Sequence, residues 1–439
     1  MKNTLPIILF FILFFTDFFT NQLHLLPRLF TWLPEFFYAI IAMIITARII
    51  EKKTISIPIK YWLIFICFIY IVIAGIIINE ISTLTVIAGI RVYFKFIPIF
   101  LLPLAFDYSI NDLKKQFLAL LLLGILQLPV SIWQKFILEA HNDLVSGTLN
   151  SSNALSIMMI SIILMLLTFY LRKLIRLRTL TILLIVLFLP ATLNETKVTP
   201  ILLTAGFIAL LLIMRKEITF KKFAVFSTGG FLLLSMFILI YNALYSGEDD
   251  STFSENLTNK NYNFHDYKAD SRAIFNTDSI VVGEQKNLPA STSETGRIDS
   301  ILIPLDILSN KDFIKLIFGL GIGNVSSAGA NSTYNHLTTL KGNQTTLALL
   351  LWETGIFGAF TFTLLLIFFS RDAYLLARDS SKWRTFSSGW FAISIVLLIT
   401  LGYNNLFTFD ELTALYMYFS GIIILKRHAT LKSLKKKTH

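Results

Sequence analysis

Charge is what this sequence is short of. Of 439 residues only 15% are Asp, Glu, Lys or Arg, against roughly 25% in an ordinary water-soluble domain. So little polar surface cannot cover a core of this size, which excludes a soluble globular fold. Cysteine is almost missing: the single Cys67 lies in an apolar run and leaves no disulfide within the chain. Histidine is scarce and scattered, six residues with no H-E-x-x-H pair and no Asp-x-Asp cluster beside them, so no metal set can be read. The ten-residue segments of alternating polarity that build a membrane β-barrel are also lacking. No internal repeat is visible.

Apolar side chains fill the chain instead. They make up 55% of it, 40 are Phe, and the mean hydropathy is +0.69. Repeated apolar runs of about 18 residues or more mark transmembrane helices. The prediction is an all-α, polytopic integral membrane bundle. It has about twelve transmembrane helices, near 5–20, 33–50, 59–78, 83–106, 116–136, 153–170, 179–193, 198–214, 223–244, 346–369, 386–402 and 410–425. Residues 1–245 carry helices one to nine, 246–345 form one large extracytoplasmic loop, and 346–439 carry the last three helices and a basic tail. Lys2 and the apolar run from Leu5 precede no small-residue cleavage site, so this start reads as an uncleaved first helix.

The net charge of +11 is spread over short clusters between the apolar runs. Membrane lipids, not nucleic acid, are the expected partner. One set of connections holds Arg48, Lys52, Lys53 and Lys60, then Lys114 and Lys115, Arg172 to Arg178, Arg215 to Lys222, Arg371 to Arg384, and the tail "KRHATLKSLKKKTH". The alternate short connections hold little beyond Arg28 and Lys197. The positive-inside rule makes the first set cytoplasmic. Both termini then lie in the cytoplasm, under an inner (plasma) membrane, and the long loop is periplasmic or extracellular. That loop has twelve acidic against eight basic residues, as an outer segment should. Its first half reads as irregular. Its second half offers a Ser291/Glu294 capping box and a helical stripe of Ile298, Ile301, Leu302, Leu305 and Leu308. Pro304 should kink or shorten that helix. "KDFIKLIFGL" predicts a second short helix stopped by glycine.

Within this layout a few residues stand out. "FGLGIGNV", Phe318 to Val325, resembles a phosphate loop, but it lacks the G-x-G-x-x-G spacing and no Lys-Ser/Thr follows. It reads as a helix cap and tight turn, or as backbone approaching a lipid-linked phosphate. Arg91 and Lys95 stand four apart on one helix face inside a span, where ionisable groups are costly and mark a site or a buried pair. Two cations so placed suit a diphosphate; the plainer reading is a pair with an acid such as Glu80. Lys197 sits at the outer end of a hairpin, either as a site cation or paired with Glu195. Arg297 opens the loop helix, and His336 is a titratable base in the same loop. Glu353 lies just inside a span, to bind an acceptor or to cap helix packing.

The order of "GIRVYFKFIPIFLLP", "NETKVTP", "TGRIDSILIPLDIL", "LIFGLGIGN" and "LLLWETGIFGAF" resembles the O-antigen ligase and polysaccharide polymerase superfamily of membrane glycosyltransferases. The likeness runs from about the fourth span to the last. It implies an enzyme of the extracytoplasmic face that moves a glycan from undecaprenyl diphosphate to a glycan or lipid-linked acceptor, with no nucleotide, metal or other cofactor. Carried over, Arg91 and Arg297 hold the diphosphate, and Lys197 stands where many members have Arg, which weakens bidentate binding; Lys95, on the face of Arg91, completes the diphosphate-binding candidates. His336, Gln344 and Glu353 are the catalytic candidates. Family members have a His where Gln344 stands, and His336 lies eight residues earlier; either His336 serves as base or this branch works without one. A transporter or flippase of lipid-linked glycans is the competing class, and a structural partner of an assembly complex a third.

Overall fold

A chain crossing lipid must satisfy its backbone hydrogen bonds internally, and helices do so within one segment. The computed structural model describes residues 2–52, 57–140, 144–194, 196–245, 297–326 and 345–438. Among them the structure is helical, with no strand. The N-terminal part holds α1 (Thr4–Asp17), α2 (Leu33–Lys52), α3 (Ile59–Ile78), α4 (Thr83–Phe94), α5 (Ile97–Ala105), α6 (Ile110–Phe136), α7 (Ser152–Leu171), α8 (Leu177–Leu193), α9 (Thr199–Met214) and α10 (Phe220–Tyr245). Two loop helices follow, α11 (Arg297–Lys311) and α12 (Phe313–Phe318), then α13 (Thr346–Asp379), α14 (Arg384–Thr400) and α15 (Asp410–Thr438).

Each predicted apolar run falls on a helix, the fourth on the α4–α5 pair, which bends by 47°. By length and composition six described helices can cross a membrane, or seven with the bent pair taken as one span; α8, α9 and α14 are apolar but shorter. The chain is a helical membrane protein. Its centre is α7, whose apolar window is 83% buried against 22% for α2. Around α7 pack α8, α9 and α14, while α13 lies against α3, α14 and α15. The outward faces of α2 and α3 present Met43, Ile59, Leu63 and Ile66, the surface that lipid covers.

Ion pairs gather the helix ends. Lys2–Asp112 (2.7 Å), Lys60–Asp372 (2.8 Å), Arg172–Glu217 (2.6 Å), Lys426–Asp107 and Arg427–Asp379 all join segments that an up-and-down alternation puts at one end of the bundle.

The loop helix departs from expectation. α11 runs through Pro304 without stopping. Burial of Ile303, Pro304 and Leu308 offsets the lost backbone bond, a cost of about 3 kcal/mol. Its buried face is also rotated from the predicted stripe: Ile298 and Leu302 are exposed, at 73% and 44%. Apolar residues lie on most sides of α11, and one contact covers only part of them. The second helix is as predicted. Asp312 caps its start by accepting Ile314 N–H at 2.8 Å, and Gly319 ends it at φ 74°. The capping box and residues 246–290 lie outside the described residues.

Candidate functional site

The glycine turn is held by a break in α13. Gly355 sits at φ 64°, ψ −168°, a region essentially closed to other residues. The break removes the intrahelical donors from Trp352 and Glu353 carbonyls. Leu320 and Gly321 N–H donate to those carbonyls instead, at 2.7 and 2.9 Å. Gly319, Gly321 and Gly323 all have positive φ, and their backbones are in contact with their surroundings. A Cβ on Gly319 would lie 2.5 Å from Glu353 C, and one on Gly323 2.1 Å from Thr85 O. Gly89 of α4 and Gly75 of α3 meet the same turn from the other side. The cap-and-turn reading holds: the turn fills a slot between α3, α4 and α13.

Glu353 reaches back over this turn. Its side chain is fully buried. Oε1 accepts Val325 N–H at 2.9 Å and Ser326 N–H at 2.5 Å. Oε2, the Ser326 hydroxyl and the Tyr93 hydroxyl of α4 are buried without a hydrogen-bond partner among the described residues. Tyr93 and Glu353 are close enough to interact electrostatically.

Arg91 and Lys95 each face an acid, and neither acid is Glu80. Arg91 donates through Nε to Glu35 Oε1 at 3.1 Å, with its guanidinium 4.1 Å over the Trp32 ring. Lys95 Nζ lies 2.6 and 2.7 Å from the two Asp410 oxygens. Asp410 also feels Arg91 and Glu35, so the four charges form one balanced set.

The connection from α14 to α15, residues 401–409, and Asp410 at the head of α15 touch two of the predicted residues, Arg297 and Lys95. Tyr403 carries Arg297 over its ring at 4.7 Å. Asn404 O accepts Thr346 N–H at 2.9 Å, and Leu401 O accepts Leu347 N–H at 3.1 Å, fixing the head of α13. Phe407 packs on Tyr93 with ring centroids 4.8 Å apart, and Asp410 holds Lys95. Lys197 is half-buried in the turn between α8 and α9, beside Asn194, whose side chain donates to Ser152 O at 2.8 Å. His336 and Gln344 lie outside the described residues.

Sequence reasoning missed Glu35, Tyr93, Tyr403 and Asp410. Asp410 had a readable signal, since "FDEL" sets two acids at the head of an apolar run. Glu35 stands similarly at the head of α2. The two tyrosines carry no such mark, because an aromatic in a membrane helix is ordinary. No family model and no curated protein matches this chain.

Proposed function

We propose that this protein is a membrane glycosyltransferase of surface polysaccharide biosynthesis, of the O-antigen ligase and polysaccharide polymerase type. In this reading all twelve apolar runs span the inner membrane, both termini are cytoplasmic, and residues 246–345 lie on the outer face. The five ion pairs gathered at one end of the bundle agree with that alternation. The observation that carries the reading is the assembly around residues 401–410, where Arg297 of the loop helix, the head of α13, Tyr93 of α4 and Lys95 just past its end meet the connection between α14 and α15 and the first residue of α15.

The donor is a glycan on undecaprenyl diphosphate and the acceptor a sugar hydroxyl. The acceptor oxygen bonds to the anomeric carbon as the bond from that carbon to the phosphate oxygen breaks. The diphosphate leaves with the electron pair. Arg91, Lys95 and Arg297, with Lys197 as a fourth candidate, neutralise its charge. Displacement of the Asp410 or Glu35 carboxylate makes room for it. His336 takes the acceptor proton, and Gln344 orients the acceptor. No cofactor is required, because the diphosphate is already a good leaving group.

A gene deletion complemented with Arg91→Ala, Arg297→Ala or His336→Ala tests this. Surface glycan is resolved on a gel. Single-repeat chains on the carrier are expected for a polymerase, and long carrier-linked chains without transfer for a ligase. Wild-type ladders from all three variants overturn the enzyme reading. Reporter fusions at Ser254 and Ser380 should report opposite sides.

The 47° bend between α4 and α5 and the break at Gly355 favour one second reading, a flippase of lipid-linked glycans. Transporters use such broken helices at their binding sites. In that case the deletion strain accumulates the lipid-linked repeat unit in the cytoplasmic leaflet, out of reach of an external probe.

A further inference from the structure

The glycine turn has the form of an anion cradle, with successive backbone N–H groups turned towards one point. Its occupant is a carboxyl group of the same chain. Glu353 Oε1 accepts Val325 and Ser326 N–H at 2.9 and 2.5 Å. The backbone of the same residue accepts Gly321 N–H at 2.9 Å, so Glu353 grips the turn at both its start and its end. Its second oxygen stays buried beside Tyr93. Tyr93 lies midway between Arg91 and Lys95 on α4, and their face of that helix is turned from it by the helical repeat. Gly89, one turn earlier on α4, meets the turn at Ile322 and Gly323.

We infer that Glu353 is a positioning residue whose carboxyl group fills the backbone cradle of the glycine turn and, through that turn and its contact with Gly89, sets the place of the segment bearing Arg91 and Lys95. An external phosphate is therefore excluded from the cradle. The residue acts by accepting hydrogen bonds, which an amide oxygen does equally, and not by exchanging a proton with substrate. This role holds whatever glycan chemistry the protein performs.

The test uses the full-length protein in detergent, with Glu353→Gln and Glu353→Ala. Thermal unfolding followed by tryptophan fluorescence is one readout, and complementation of the surface glycan in the deletion strain is the other. Glu353→Gln should keep the wild-type Tm and restore wild-type glycan. Glu353→Ala should lower Tm by several degrees or give no monodisperse protein. Three results overturn the inference: an unchanged Tm in Glu353→Ala, a Glu353→Gln protein as unstable as the alanine variant, or a Glu353→Gln protein that melts like wild type yet restores no glycan. The last would make the carboxyl group a participant in the chemistry. If the deletion has no glycan phenotype, the proposed function fails while the thermal readout still decides the role of Glu353.

Discussion

Gly355→Ala should be among the most damaging small substitutions in this protein. The residue combines two constraints. Its backbone, at φ 64° and ψ −168°, costs a non-glycine residue about 1–3 kcal/mol. A Cβ there would also stand 2.3 Å from Ile317 O and 2.6 Å from Gly319 N. Both are backbone atoms of the facing turn, so no side-chain rotation relieves the clash. Overpacking of this kind adds about 1–3 kcal/mol, and the two together reach about 2–6 kcal/mol. Relief by moving the turn would break the bonds from Leu320 and Gly321 to Trp352 and Glu353. The comparison is Gly230→Ala in α10, where a Cβ meets nothing within 4 Å and helix propensity improves by about 1 kcal/mol. Size-exclusion profiles after a heating series, read on the full-length protein in detergent, rank the two. The expected order is Gly230→Ala at or above wild type and Gly355→Ala well below it. A Gly355→Ala protein with wild-type thermal behaviour would refute the interlocked turn.

Other substitutions probe the charges around it. Asp410→Ala leaves Lys95, whose side chain is only 12% exposed, without its carboxylate. The loss should fall between the ~1 kcal/mol of exposed pairs and the ~3–5 kcal/mol of buried ones, and a Lys95→Met/Asp410→Leu double variant should recover most of it in thermal unfolding. Tyr403→Leu removes the ring under Arg297 and should cost about 0.5–2 kcal/mol in the same assay. Cys67 is exposed on α3 amid apolar neighbours. It should react in membranes with a small lipid-soluble maleimide and resist a charged, membrane-impermeant thiol reagent; equal labelling by both would place that face of α3 in water.

The sequence by itself determined the class of the protein and the places of its helices. Apolar runs of span length are a local property, and lipid allows the backbone few alternatives to a helix, so each run could be read without knowing its neighbours. The positions of Gly319, Gly321 and Gly323 as a turn were legible for the same local reason, since glycine alone takes positive φ at little cost. Partnership was not legible. Arg91 lies 56 residues from Glu35, and Lys95 lies 315 from Asp410; no spacing rule spans such distances, and the nearer Glu80 was the natural guess. The rotation of α11 also depended on contact, because apolar residues surround that helix and only the bundle decides which of them to bury. Gly355 shows the division most plainly. Its sequence context reads as the inside of a long helix, and tertiary structure made it a break, because the carbonyls it frees are the ones the facing glycine turn needs as acceptors.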